Sequence, residues 1–162
     1  MLMGTKKLMI LIMLIPVLLC TCEKRVTYHE SEPADYPTIT WVGTDVIYDP
    51  YAVKQDLSLI VFMNDNDDEC KKFNSQTLTD TAVVRIINES FNIARIDPLA
   101  DTLVIYYGTP TSCSHLASSI YNITTLPTTC LLDANGAYLN RWTGFIMPNT
   151  FADYLEYARN HY

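Results

Sequence analysis

The stretch Met63–Phe73, MNDNDDECKKF, decides how the chain is read, because it joins a buried strand to the start of a helix. Upstream of it, LSLIVFMN (Leu57–Asn64) is a short apolar run bounded by polar residues, the pattern of a strand covered on both faces. Downstream, Asp67, Asp68 and Glu69 stand where a helix begins, and carboxylates there complement the positive end of the helix dipole. Cys70 is the single cysteine of this helix start, and Phe73 falls three residues later, on the side that faces a core.

The chain around it alternates strand and helix signals. Thr79 and Asp80 are candidate caps for a helix whose apolar face is Val83, Val84, Ile86 and Ile87. FNIARID, from Phe91, reads as a second strand, and SHLASSIYNI as a helix with Leu116, Ile120 and Ile123 at helical spacing. Asn135-Gly136 then marks a hairpin between two strands, on the expectation that both turn residues take positive φ. The last helix carries Phe151, Tyr154, Leu155 and Ala158 on one stripe, with Asn149 or Thr150 as its cap. The order β-α-β-α-β-β-α predicts an α/β domain: a mixed parallel and antiparallel sheet with helices on both faces.

The N-terminus speaks to location. Lys6 and Lys7 precede the apolar run LMILIMLIPVLLC, and no acid occurs before Glu23. This is the layout of a secretory signal; the run falls short of the roughly 20 apolar residues of a spanning helix, and Pro16 interrupts it. LLCTCEK resembles the lipobox of bacterial lipoproteins, with Cys22, preceded by Thr21, a better acceptor for lipid than Cys20, preceded by Leu19. A lipid anchor at Cys22 and a plain signal peptide ending in two cysteines both remain open. The resulting division is a leader over residues 1–21, a polar tether with Pro33 and Pro37 over 22–37, and one folded domain over 38–162. The expected setting is the bacterial cell envelope, facing the periplasm and held by lipid.

Charge narrows the partners. Eleven basic and 18 acidic side chains give −7, and loss of Lys6 and Lys7 with the leader takes the chain to −9. An acidic protein of this kind is a poor ligand for nucleic acid. No glycine-rich phosphate loop is present, so no cofactor is expected. The acids Asp65, Asp67, Asp68 and Glu69 lack the glycine and distal glutamate of a calcium loop, and His29, His115 and His161 lack metal spacing. Neither group is read as a metal site.

Taken in order, these landmarks resemble the thioredoxin-like superfamily, whose secreted members combine a phenylalanine, a Trp-Cys-x-x-Cys-Lys helix opening and a cis-proline hairpin. On that pattern Phe62 stands at the phenylalanine, Asn66 at the tryptophan, Asp67 at the first cysteine, Cys70 at the second and Lys71 at the lysine. LPTT supplies the cis-proline loop with Pro127 as the cis residue, and WTGFIMPNTFADYL resembles the ending before the last helix. The resemblance spans residues 38–162 and implies a thioredoxin-like fold.

It also implies a defect. In that family the first cysteine is the exposed nucleophile, its thiolate favoured by the helix N-terminus, and the second resolves the mixed disulfide. Asp67 can do neither, so the local dithiol route is lost. Cys113, just before the helix that leads to the cis-proline loop, is the candidate substitute, and a Cys70–Cys113 bridge requires Cα atoms within about 7 Å. The other reading leaves Cys70 free and makes Cys113 a half-buried residue in a helix cap. Cys130, between apolar neighbours in a strand, reads as core.

The resemblance further implies that Leu126, before the cis-proline, presents its backbone to an extended peptide, a role that needs no cysteine. Two functions follow. One is an anchored thioredoxin-fold protein that binds a protein or peptide partner at Asp67, Leu126 and Pro127 without ordinary oxidoreductase activity. The other is a periplasmic thiol-disulfide enzyme in which Cys70 and Cys113 are the catalytic pair.

Overall fold

A computed structural model describes residues 38–52 and 54–162, all within one compact unit. The expected leader, the expected lipid acceptor Cys22 and the expected tether lie outside the described residues. After a short helix α1 (Thr44–Tyr48), strand β1 (Leu57–Phe62) leads into α2 (Asp68–Lys72), which runs on through a π-helical turn, Phe73–Thr77. Helix α3 (Thr81–Ser90) and β2 (Phe91–Ile96) complete the first half. A hairpin of β3 (Leu103–Tyr106) and β4 (Thr109–Ser112) precedes α4 (Cys113–His115), again extended by a π-helical turn, Leu116–Ile120. The chain ends with β5 (Thr128–Leu132), β6 (Tyr138–Thr143) and α5 (Pro148–His161).

The main sheet has the order β2-β1-β5-β6: β1 pairs parallel with β2 and antiparallel with β5, and β5 pairs antiparallel with β6. The mixed sheet expected from the sequence is therefore present. All six residues of β1 are buried, and they divide by parity between two cores. Leu59, Val61 and Met63 face one side with Val83, Ile87, Phe151 and Leu155 of α3 and α5. Ile60 and Phe62 face the other with Ile47 and Tyr48 of α1 and Leu116 after α4. Two-residue periodicity in the strand thus produces helices on both faces.

Phe73 reaches the first core as expected and packs edge-on against Phe151, with ring centroids 5.3 Å apart. Burial of such a side chain stabilises by about 1.5–3 kcal/mol, which fixes α2 and α5 on the same face.

Several local expectations need correction. Asp80, not Thr79, caps α3, its carboxylate accepting the amides of Ala82 at 3.0 Å and Val83 at 3.1 Å. Helix α5 begins at Pro148 behind Met147, without a side-chain cap from Asn149 or Thr150, because proline at the first helical position removes an amide that would need one. In the β5–β6 connection only Gly136 takes positive φ, at 80°. The loop is held instead by Asp133, whose carboxylate accepts the amides of Asn135 and Ala137 at 2.8 Å each. Helix α1 and the β3–β4 hairpin were not expected from the sequence.

Candidate functional site

Strand β1 delivers its chain to α2, and the register Phe62↔Thr128 brings the residue before β5, Pro127, opposite Met63. The start of α2 and the Leu126–Pro127 loop therefore share one end of the sheet. The Leu126–Pro127 peptide is cis, as the resemblance implies. Pro127 is buried, while Leu126 is half-buried and packs against both cores. The Pro127 carbonyl accepts the Gly144 amide at 2.7 Å and the Thr125 carbonyl accepts the Thr128 hydroxyl at 2.7 Å, which anchors the loop on both sides. Among the described residues, no hydrogen bond uses the backbone amide or carbonyl of Leu126.

At the helix, Asp67 is the N-cap in extended conformation, and its carboxylate accepts the Cys70 amide at 2.8 Å. That bond to the Cys70 amide is the main reason its carboxyl is held below the ordinary aspartate range. Where a nucleophilic thiolate would use the helix N-terminus, a carboxylate already occupies it.

Cys70 lies behind this cap and is fully buried, its sulfur accepting the Asn64 amide at 3.4 Å. Burial, reinforced by the neighbouring Asp67 carboxylate, pushes its thiol up to about 11. A thiol so placed stays protonated at neutral pH and is a poor nucleophile.

The sequence reading missed Asn64. Its side-chain amide donates to both Asp97 oxygens, at 3.0 and 2.9 Å, and its oxygen accepts the Asn66 amide at 2.8 Å. One residue thereby ties the end of β1 to the loop after β2, to the turn before α2 and to the Cys70 sulfur. The available signal was a polar residue directly after an unbroken buried strand.

Cys113 begins α4 behind its cap Ser112, and it is a free, buried thiol 3.3 Å from the Thr102 hydroxyl. The structure brings Asp67, Cys70 and the Leu126–Pro127 loop to one end of the sheet, but does not join Cys70 with Cys113. Cys70 belongs to the core shared with α3 and α5, and Cys113 to the core on the opposite face. Cys130 is likewise free and buried, its thiol pushed up to about 12 by burial, as suits a core residue. No cluster of histidine, cysteine and carboxylate side chains suited to a metal ion occurs among the described residues.

Comparison with known proteins follows the same lines. Residues 49–159 match the model of a family described as a thioredoxin-like domain. The fold is similar to that of a thioredoxin-fold protein from Helicobacter pylori, at 20% identity and a TM-score of 0.61, covering 72% of this chain and 78% of the other. It is also similar to a DsbH oxidoreductase, at 15% identity and a TM-score of 0.60 over 81% and 91% of the two chains. A thioredoxin from Thermus thermophilus aligns at 18% identity and a TM-score of 0.51, covering 63% and 72%. No curated protein matches the sequence.

Proposed function

This chain belongs to the thioredoxin-like domain family, and from that premise we propose that it is a binding member without ordinary dithiol oxidoreductase activity, held at the bacterial cell envelope by lipid on Cys22. It receives an extended protein or peptide segment beside Leu126 and Pro127, with Asp67 at the rim of the same end of the sheet. The observation that carries this reading is the Asp67 cap. The family's nucleophile position holds a carboxylate bonded to the Cys70 amide, and the remaining thiol is buried and protonated.

Binding and catalysis separate naturally here. An extended segment is recognised through main-chain hydrogen bonds, which need backbone donors and acceptors at a fixed loop rather than a thiol. The half-buried Leu126 supplies such groups next to an apolar surface. The envelope location rests on the leader and lipobox read in the sequence.

The competing enzyme, with Cys70 and Cys113 as its pair, draws support from the redox proteins among the structural neighbours. Against it stands the placement of the two thiols in different cores. An insulin-reduction assay separates the readings. The native protein is expected to show no turnover, while Asp67→Cys restores two cysteines at the helix start and gains it. Native turnover comparable to that of Asp67→Cys would overturn the binding reading.

A further inference from the structure

A second feature lies at the other end of the β5–β6 hairpin. The turn between β3 and β4 is Tyr107-Gly108, with φ of 46° and 76°, so both central residues are left-handed, as in a type I′ turn. Asparagine, aspartate or glycine suits the first of these positions, and a bulky aromatic residue there is an outlier. Turn geometry does not account for Tyr107, but its side chain does. The ring sits 5.0 Å from Tyr48 and 4.8 Å from Tyr106, and its hydroxyl donates to the Asn135 carbonyl at 3.0 Å.

Tyr107 is also the wall shared by two clefts. One, of about 380 Å³, is bounded by Tyr106, Tyr107, Tyr121 and Tyr138 with Asn122 and Arg141. The other, of about 440 Å³, is bounded by Tyr48, Pro50, Ile105 and Tyr107 with Asp45 and Asp49. Arg141 spends Nη1 on the carbonyls of Tyr121 and Asn122, at 3.2 Å each. Among the described residues, no hydrogen bond occupies its Nη2 or the hydroxyls of Tyr106 and Tyr138. Lying on either side of Tyr107, the two clefts offer aromatic walls, spare donors in one and two carboxylates in the other.

We propose that the two clefts together seat a proline-rich peptide in the polyproline II conformation that crosses over Tyr107, with a basic residue of the peptide at Asp45 and Asp49. A polyproline II chain makes no internal hydrogen bonds, so its carbonyls require outside donors, which Arg141 and the tyrosine hydroxyls supply. Its pyrrolidine rings pack against aromatic walls, the usual basis for recognising such segments. Opposite charge at the two ends calls for an elongated ligand with a direction, and the acidic rim fixes where the peptide's cation lies. Both clefts are separate from the Leu126–Pro127 loop, and the proposal does not depend on the state of Cys70.

The test titrates full-length protein into the fluorescein-labelled peptide Arg-Pro-Leu-Pro-Pro-Leu-Pro and follows anisotropy. Saturable binding is expected, weakened at least about tenfold by Tyr107→Asn, as befits loss of a central aromatic contact. That substitution gives the turn a residue it prefers but gives up the ring contacts and the Asn135 hydrogen bond, so its melting temperature is measured beside binding, and lost binding in a variant still folded at the assay temperature is the expected result. The double change Asp45→Asn, Asp49→Asn is expected to weaken binding several-fold and to flatten its dependence on salt. Absence of saturation at about 1 mM protein, or an affinity unmoved by Tyr107→Asn, overturns the proposal. Binding of maltoheptaose that Tyr107→Asn abolishes, with the peptide inert, overturns it in favour of a carbohydrate.

Discussion

The Asp67 carboxylate accepts the Cys70 amide at 2.8 Å across the first turn of α2, and the Cys70 side chain beside it is fully buried. One bond therefore occupies the helix N-terminus while burial silences the thiol behind it.

Alkylation should report this directly. With its thiol near 11, Cys70 is thiolate in only about one molecule in a thousand at pH 8. Peptide mapping after brief iodoacetamide treatment is expected to find Cys70, Cys113 and Cys130 unmodified in the native protein and fully modified in denaturant. Fast labelling of native Cys70 would contradict the buried, protonated thiol. Asp67→Asn should change its rate little, since burial is the larger cause of the shift.

Acid stability carries the signature of the cap. Asp67 titrates lower in the folded chain than the ordinary 3.8. Its stabilisation is therefore present above that value and lost as pH falls through the lowered folded value. Asp67→Asn keeps a capping oxygen but has no proton to take up, so its unfolding midpoint in urea should fall less between pH 4 and pH 2 than that of the native protein. Identical slopes would dissociate the carboxylate from the cap.

At alkaline pH the sign reverses. The hydroxyls of Tyr48 and Tyr121 meet at 2.5 Å in the second core, and burial raises both above the ordinary 10.0. A raised phenol keeps its proton in the folded state after the unfolded chain has lost it, so stability is full below pH 10 and declines above it. Tyr48→Phe leaves the Tyr121 hydroxyl without this partner and should cost about 1–3 kcal/mol at pH 7. Chemical denaturation of the two proteins at pH 7 and pH 11 reads both effects.

How much of this was legible in the sequence depended on the range of the interaction. Buried β1, the Asp67 to Cys70 helix start and Pro127 stood out because each is encoded within a few residues. The β3–β4 hairpin did not, since Tyr107-Gly108 lacks the usual first turn residue and Pro110 sits inside β4, where proline argues against a strand. Helix α1 has five residues, too few for helical periodicity to register. The tyrosine-walled clefts were hidden for another reason: Tyr48, Tyr107, Tyr121 and Tyr138 meet only through the tertiary fold. The separation of Cys70 from Cys113 likewise depends on which face of the sheet each helix covers, which sequence order leaves open.

Gly136 is a position where backbone and packing agree. Its φ of 80° is one that side chains rarely adopt, and a Cβ there would come within 2.8 Å of Tyr48 Cδ1 and 3.0 Å of the Tyr107 hydroxyl. Gly136→Ala is expected to destabilise the fold by about 1–3 kcal/mol. A melting temperature equal to that of the native protein would show that the loop relaxes without disturbing the tyrosines.

The sheet acts as a partition, with Cys70 on one side and Cys113 and Cys130 on the other. An oxidising compartment offers small secreted domains covalent staples, and many depend on them. Among the described residues this domain holds none, so its stability rests on packing and hydrogen bonds rather than on a covalent link. Adding or withholding a reductant should leave its melting curve where it was, and what redox conditions do change would be confined to chain that has already come apart.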